Sequence, residues 1–230
     1  MKKWAIIVAG GSGLRMGKAL PKQFLLLADR PLLLYTIEAF VAAYDDIQIV
    51  LVLPDDFLSM GEQLIRSHFA EKNILLTVGG ATRFDSVKKG LALTEREGIV
   101  FVHDGVRCLV TPSLIRRCFE QASLSGAVIP AIAAKDSIRL RTTGDKTTAT
   151  TTVLDRDQVL LVQTPQTFFA DWLHDAFDRP YQTQFTDEAT VLEQAGKTVV
   201  VIEGEETNIK ITRPVDLLIA EQYLAQRSAE

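Results

Sequence analysis

Apolar residues along the 230-residue chain fall into two patterns that take turns. Short, nearly continuous apolar runs predict buried strands, and longer runs with apolar positions three or four apart predict helices. The first run covers residues 4–9. A helical segment follows over 31–43, with Pro31 tolerable in its first turn. Strands are predicted at 47–53, 73–78, 99–103 and 127–132, and helices at 55–69, 82–93 and 112–123, with Thr82 placed to cap. Beyond an apolar run at 159–162, the pattern predicts a helix near 187–194, a strand at 198–202 and a helix from 214 to about 226. Strands apolar on both faces and alternating with helices predict an α/β, Rossmann-like fold: a mainly parallel twisted sheet covered by helices on both faces. Ligands in such folds sit at the carboxyl ends of the strands, where the polar motifs of this chain fall.

One segment breaks the alternation. Residues 136–157, DSIRLRTTGDKTTATTTVLDRD, are charged and threonine-rich, with a turn signal at Gly144-Asp145 and β propensity over 147–153. The segment has no hydrophobic face with which to join a core, and a lone hairpin is marginal in water. It predicts a protruding β-arm that pairs with a second subunit, on which Arg139, Arg141 and Arg156 reach across the interface. The expectation is one domain over 1–230, with 136–157 as its dimerisation arm.

The first strand runs into Gly10, Gly11, Ser12 and Gly13, followed by the cations Arg15 and Lys22. Glycines let the backbone turn sharply and bring N–H groups close to a phosphate. The loop is not a Walker motif: three residues rather than four separate Gly13 from Gly17, and Ala19 follows Lys18. It lacks the third glycine and the acidic residue of a dinucleotide fingerprint, which weakens a reading as an NAD-dependent oxidoreductase. Glycines alone fit a simple turn equally well; the two cations favour a nucleoside triphosphate.

Four further clusters stand out: Gly79-Gly80-Ala81-Thr82-Arg83 with Asp85 and Ser86; His103-Asp104-Gly105-Val106-Arg107; Gln163-Thr164-Pro165-Gln166; and 208–214, where Lys210 alternates with Ile209 and Ile211 as in a strand. Asp104, directly after a strand, suits a metal or a sugar hydroxyl, or simply caps a turn. His103 reads as a hydrogen-bonded structural residue rather than a base.

A formal net charge of −4 argues against a general nucleic-acid or anionic-membrane surface. Cys108 and Cys118 have no metal spacing and read as free thiols. The apolar runs are too short for a signal peptide or a membrane span, and a cytoplasmic location is expected.

Together the motifs AGGSGLRMG, PKQF, GGATRFDSV, VHDGVRC, LDRD, TPQTF, TDEA and NIKITRPVDL, running in order from residue 5 to residue 217, resemble nucleotidyltransferases that act on phosphorylated sugars or polyols. More narrowly, they resemble the 2-C-methyl-D-erythritol 4-phosphate cytidylyltransferase family. The resemblance implies the nucleotide-diphospho-sugar transferase fold and transfer of CMP from CTP to 2-C-methyl-D-erythritol 4-phosphate with release of pyrophosphate. It implies Mg2+ or another divalent cation, with Asp104 as the candidate protein ligand, and a homodimer. Arg15 and Lys22 match transition-state stabilisers. Arg156 and Lys210 match residues that position the sugar phosphate, Arg156 acting in the neighbouring subunit's site. Ala9, Gly10, Gly11, Gly13, Gly80, Ser86 and Asp104 match nucleotide contacts, and Asp104, Arg107, Ser137 and Thr164 match contacts to the second substrate. The family's HDAARP reads HDGVRC here, which predicts a less rigid loop, and Ala81 replaces an acidic residue near the base. A ribitol 5-phosphate cytidylyltransferase and a catalytically silent nucleotide-binding regulator are the rival readings. The TDEA motif followed by NIKITRP speaks against the first, and the presence of Arg15, Lys22 and Lys210 against the second.

Overall fold

The computed structural model describes residues 1–11, 20–144 and 148–227. The chain starts with β1 (Lys3–Val8), then passes through a 3-10 turn at Lys22–Phe24 and a small hairpin, β2 (Leu26–Leu27) and β3 (Arg30–Pro31). It continues as α1 (Leu32–Ala43), β4 (Gln48–Leu53), α2 (Leu58–His68), β5 (Ile74–Val78), α3 (Arg83–Leu91), β6 (Ile99–Asp104), α4 (Pro112–Ser125) and β7 (Ala127–Ala133). The arm follows as β8 (Ile138–Gly144) and β9 (Ala149–Leu154), and then come β10 (Leu160–Val162), β11 (Gln166–Phe169), α5 (Ala170–Phe177), α6 (Glu188–Gln194), β12 (Val200–Glu203) and α7 (Pro214–Arg227).

The main sheet runs β10-β7-β11-β6-β1-β4-β5, with β12 also paired to β7. Pairings of β1 with β4 and β6, of β4 with β5 and of β12 with β7 are parallel, whereas β10 and β11 run antiparallel to their neighbours. Successive side chains of β1 supply opposite faces. Ala5 and Ile7 join a core formed with α1, α2 and α4, while Trp4 and Ile6 join one formed with α3, α5 and α6. This is the predicted α/β layering. A third cluster lies at the carboxyl end of the sheet, where Leu217, Tyr223 and Leu224 of α7 pack on Leu27, Val106, Cys108, Leu109 and Ile211.

Several elements were not predicted: β2 and β3 form a small hairpin, and Pro31, expected in the first turn of the helix, belongs to β3. Gln166–Phe169 is a sheet strand between β6 and β7, and Ala170–Phe177 is a helix. The segment carrying Lys210 was predicted to alternate as a strand and is extended coil instead. Its alternation is real all the same. Ile211 is fully buried, Lys210 is exposed, and the segment is tied to the sheet end by Ile211 N–H donating to Val106 O at 3.0 Å. The loop 105–108, predicted to be less rigid, is held on all sides. Gly105 N–H donates to Val8 O and Arg107 N–H to Asp104 O, both at 2.9 Å, and Val106 and Cys108 are buried in the third cluster. Burial pushes the Cys108 and Cys118 thiols up to about 12, so both stay protonated and unreactive at neutral pH. No described helix is long and apolar enough to cross a membrane.

Candidate active site

Loops from the ends of β1, β5 and β6, which lie close together in the sheet, meet the Lys210 segment around a cavity of about 230 Å³. Ala9, Gly10, Gly11, Lys22, Gly80, Ser86, Asp104 and Lys210 line it, so eight of the residues singled out from sequence converge there. Gly13 and Arg15 lie outside the described residues.

Each wall has a local cause. Ala9 N–H continues the sheet by donating to Val52 O at 2.9 Å, and the Ala9 carbonyl accepts from the buried Gln23 side chain at 2.5 Å. On the opposite wall Gly79 N–H donates to Leu53 O at 2.8 Å, and Gly80 N–H donates to Ser86 Oγ at 3.0 Å. The start of α3 is fixed by a capping box: the Thr82 side chain accepts from Asp85 N–H and the Asp85 carboxylate accepts from Thr82 N–H, each at 3.1 Å. The Lys210 segment is held from α7, because Asp216 Oδ2 accepts from the N–H groups of Thr212 and Arg213, both at 2.7 Å.

Asp104 forms the floor. It is almost fully buried, and three cations face it: Lys210 Nζ at 2.8 Å from Oδ2, Arg83 Nε at 3.3 Å from Oδ1 and Arg107 Nε at 3.8 Å from Oδ2. Burial pushes the carboxyl upward, but Arg83, Lys210 and Arg107 outweigh it and hold the group well below the usual carboxylate range. Asp104 is therefore an anion at any working pH, ready to accept hydrogen bonds.

Arg107 and Thr164 stand beside the cavity and not on its wall. Arg107 Nη1 donates to Asn208 O at 2.7 Å, which ties the β6 loop to the Lys210 segment. Thr164, which precedes a cis proline, accepts from Asp104 N–H at 3.1 Å and faces His103 Nδ1 at 3.0 Å. His103 Nε2 faces the Arg107 carbonyl at 3.2 Å, an acceptor only, so the ring proton sits on Nε2 and Thr164 donates to Nδ1. Burial pushes the His103 ring down to about 3, so it is neutral and structural, as the sequence suggested. Ser137 and Arg156 lie on the arm, where both are exposed and Arg156 Nη1 donates to Lys135 O at 3.1 Å. Neither lines this chain's own cavity.

Arg83 is the residue that sequence reasoning passed over. It lines the cavity, and besides Asp104 it pairs with Glu188, the buried first residue of α6. Burial pulls the Arg83 guanidinium down, but Glu188 and Asp104 more than restore it. Arg83 and the Glu188 of TDEA were both visible as motif members; their pairing was not. Asp187 of the same motif caps α6 through Thr190 N–H at 2.9 Å and accepts from Gln166 Nε2 at 2.9 Å.

Among the described residues, Asp104 is the sole acidic side chain on the cavity wall, and no three His, Cys, Asp or Glu side chains cluster to hold a metal. A site with one carboxylate and several cations suits a polyanion that brings its own divalent ion.

The model of the 2-C-methyl-D-erythritol 4-phosphate cytidylyltransferase family matches residues 4–226. A relative of that name from Bacteroides fragilis is 44% identical over 225 residues, covering 97% of this chain and 100% of the relative. One from Bacteroides thetaiotaomicron is 45% identical, with the same coverage. The crystal structure of 4-diphosphocytidyl-2C-methyl-D-erythritol synthase from Anaerococcus prevotii superposes with a TM-score of 0.81 at 27% identity, covering 97% of this chain and 98% of that one. With a matching family model and near-full-length relatives of the same name, the chain belongs to the 2-C-methyl-D-erythritol 4-phosphate cytidylyltransferase family and is a nucleotidyltransferase.

Proposed function

We propose that the cavity between the β1, β5 and β6 loops takes CTP and transfers its CMP unit to 2-C-methyl-D-erythritol 4-phosphate. The observation that carries this reading is the buried carboxylate of Asp104, set among three cations on the floor of a glycine-walled cavity. Such a site favours a triphosphate and a second phosphate, and it leaves one acceptor for a hydroxyl.

The attacking group is the polyol phosphate, whose second pKa near 6 leaves it largely dianionic at neutral pH. Its oxygen forms a new bond to the α-phosphorus, the bond from that phosphorus to the bridging oxygen breaks, and pyrophosphate leaves. No base is required, which agrees with a site whose one buried histidine is neutral and engaged at both nitrogens. The obstacle is repulsion between anions. Lys22 and Arg15 offset charge on the α-phosphate and the departing pyrophosphate. Lys210 holds the polyol phosphate, and Asp104 accepts from its hydroxyls. Backbone groups of Ala9, Gly10, Gly11, Gly13 and Gly80, with Ser86, take the nucleoside. A divalent ion brought by the triphosphate would supply further neutralisation of the phosphates, and Asp104 is the one described carboxylate on the cavity wall that would hold it.

The homodimer and the role of Arg156 belong to the same proposal. Leu140 and Val153 of the arm are 54% and 70% exposed, and Leu160 and Leu161 of β10 are 47% and 49% exposed, apolar surface that a second subunit would cover. Arg156, which does not line its own chain's cavity, and Ser137 would then complete the partner's site.

Pyrophosphate release with CTP and either methylerythritol phosphate or ribitol 5-phosphate tests the reaction: release with the first alone is expected, and release with ribitol 5-phosphate alone, or with neither, overturns it. The arm is tested by mixing Arg156→Ala with Lys22→Ala under subunit exchange. In a twofold dimer half the molecules are mixed and each has one intact site, so about a quarter of wild-type activity returns. No recovery after verified exchange means that Arg156 serves its own subunit.

A further inference from the structure

We propose that Arg83, anchored by Glu188, is the positioning residue that keeps Asp104 in place for the polyol hydroxyls once Lys210 turns to the substrate phosphate. The inference rests on the functional reading above and concerns what holds the floor of the site while its cations are in use.

Lys210 donates to Asp104 Oδ2 at 2.8 Å. Lys210 is also the most exposed of the three cations around that carboxylate, with 42% of its side chain accessible against 28% for Arg83 and 12% for Arg107. An ammonium on a flexible stem is drawn to an arriving phosphate dianion, and Asp104 then loses that partner. Arg107 is poorly placed to replace it. Its Nη1 is taken by the Asn208 carbonyl, and its Nε, 3.8 Å from Asp104, is buried without a hydrogen-bond partner.

Arg83 differs in how it is held. Its backbone opens α3 behind the Thr82–Asp85 capping box. The planar guanidinium spends separate donors on two carboxylates, Nε on Asp104 at 3.3 Å and Nη1 on Glu188. Glu188 is 1% exposed at its side chain, sits in the first turn of α6 behind the Asp187 cap, and has Oε2 buried without a partner. Glu188 therefore has one use for its charge, which is to fix Arg83 from behind. A substrate phosphate drawing on Arg83 would have to leave a buried carboxylate unpaired, which is strongly disfavoured. Arg83 thus stays with Asp104 while Lys210 is free to move.

Removing Arg83 alone strands Glu188, so the informative variant is Arg83→Met/Glu188→Gln, which removes both charges and keeps volume. Its folding is checked by thermal unfolding. The expected result is a KM for methylerythritol phosphate raised roughly tenfold or more, with the dissociation constant for CTP within about threefold of wild type. In an Asp104→Asn background the same pair of changes is expected to cost less than about threefold further, because its target is already gone. A fall in CTP affinity matching the rise in KM would make Arg83 a nucleotide ligand and overturn the proposal. Equal losses in the wild-type and Asp104→Asn backgrounds, or an unchanged KM, would overturn it as well. A wild-type protein that releases no pyrophosphate in the same assay fails the functional reading itself, and the inference with it; any of the adverse results with an active wild type fails the inference alone.

Discussion

Gly80→Ala is a sharp test of how the nucleotide wall is built. A Cβ added at Gly80 would lie 2.2 Å from Asp85 Cβ and 2.9 Å from the Asp85 carbonyl carbon. Neither atom can swing aside, since both belong to the backbone or its first side-chain carbon in the opening turn of α3. The turn has to shift, and three effects follow. Overpacking costs about 1–3 kcal/mol. The Thr82–Asp85 capping box, which rests on two 3.1 Å contacts, is strained or lost at about 1 kcal/mol. Against these, alanine restricts the unfolded chain and returns roughly 0.4–1 kcal/mol. The net expectation is a loss of about 1–3.5 kcal/mol, read from urea unfolding at neutral pH. Gly11→Ala is the control, because its Cβ would meet nothing within 4 Å among the described residues. It should change stability by no more than about 0.5 kcal/mol either way. Turnover of Gly80→Ala should also fall more than tenfold at subsaturating CTP, because Gly80 N–H and Ser86 are displaced together. A Gly80→Ala protein within about 0.5 kcal/mol of wild type, or a Gly11→Ala protein equally destabilised, would refute the steric argument.

Two other outcomes are expected. Lys22→Ala and Arg15→Ala should each lower turnover by at least about 10²–10³ with little change in thermal unfolding, and near-normal turnover in both would reject their assignment. His103 supplies a pH dependence of stability: the unfolded ring takes up a proton below the ordinary imidazole value of about 6.5, whereas burial holds the folded ring down to about 3. Stability present at pH 7 is therefore lost as pH falls, by about 3 kcal/mol at pH 4.5 from this group alone. His174 is shifted in the same direction by partial burial, so wild type is compared with His103→Gln; the same slope in both proteins would sink the assignment.

The layering was legible because a sheet buried on both faces writes continuous apolar runs, and β1, β4, β6 and β7 all carry them. The Thr82 cap and the outward aim of Lys210 were legible because both depend on neighbours in sequence. Other parts were not. Residues 166–169, Gln-Thr-Phe-Phe, carry no long apolar run and follow a proline, and the sequence marks only Gln166, as the end of the polar cluster 163–166. It becomes a strand because β6 and β7 offer it two edges, and Gln166 is tolerated in the interior because its side chain bonds Asp187 and Ala189 N–H. The pairing of Arg83 with Glu188 spans 105 residues, and nothing local announces it. Thr164 and Arg107 stand beside the cavity, and their bonds to Asp104 N–H and Asn208 O depend on the tertiary meeting of three loops.

The HDGVRC loop shows how this chain departs from its family's pattern without disturbing the charges. Asp104 and Arg107 keep their positions; what changes is packing. A Cβ at residue 105 would come within 3.0 Å of Ala9 Cβ, 3.3 Å of Ile7 Cγ2 and 3.4 Å of Leu33 Cδ1. Glycine there lets the β1 loop, which carries the proposed nucleotide contacts, lie directly against the β6 loop, which carries Asp104. The volume missing at 105 is offset at 106, where Val106, with Cys108 beside it, fills the cluster beneath α7 with Leu27, Leu32 and Ile211. That cluster also holds Ile211, and through it the backbone next to Lys210. Three hydrophobic choices in one loop thus fix the spacing between the nucleotide wall, the central carboxylate and the lysine that faces it. In the proposed reaction the cations and the carboxylate supply the chemistry, while the distance between them is set by apolar packing, to which Val106 contributes from the cavity wall itself.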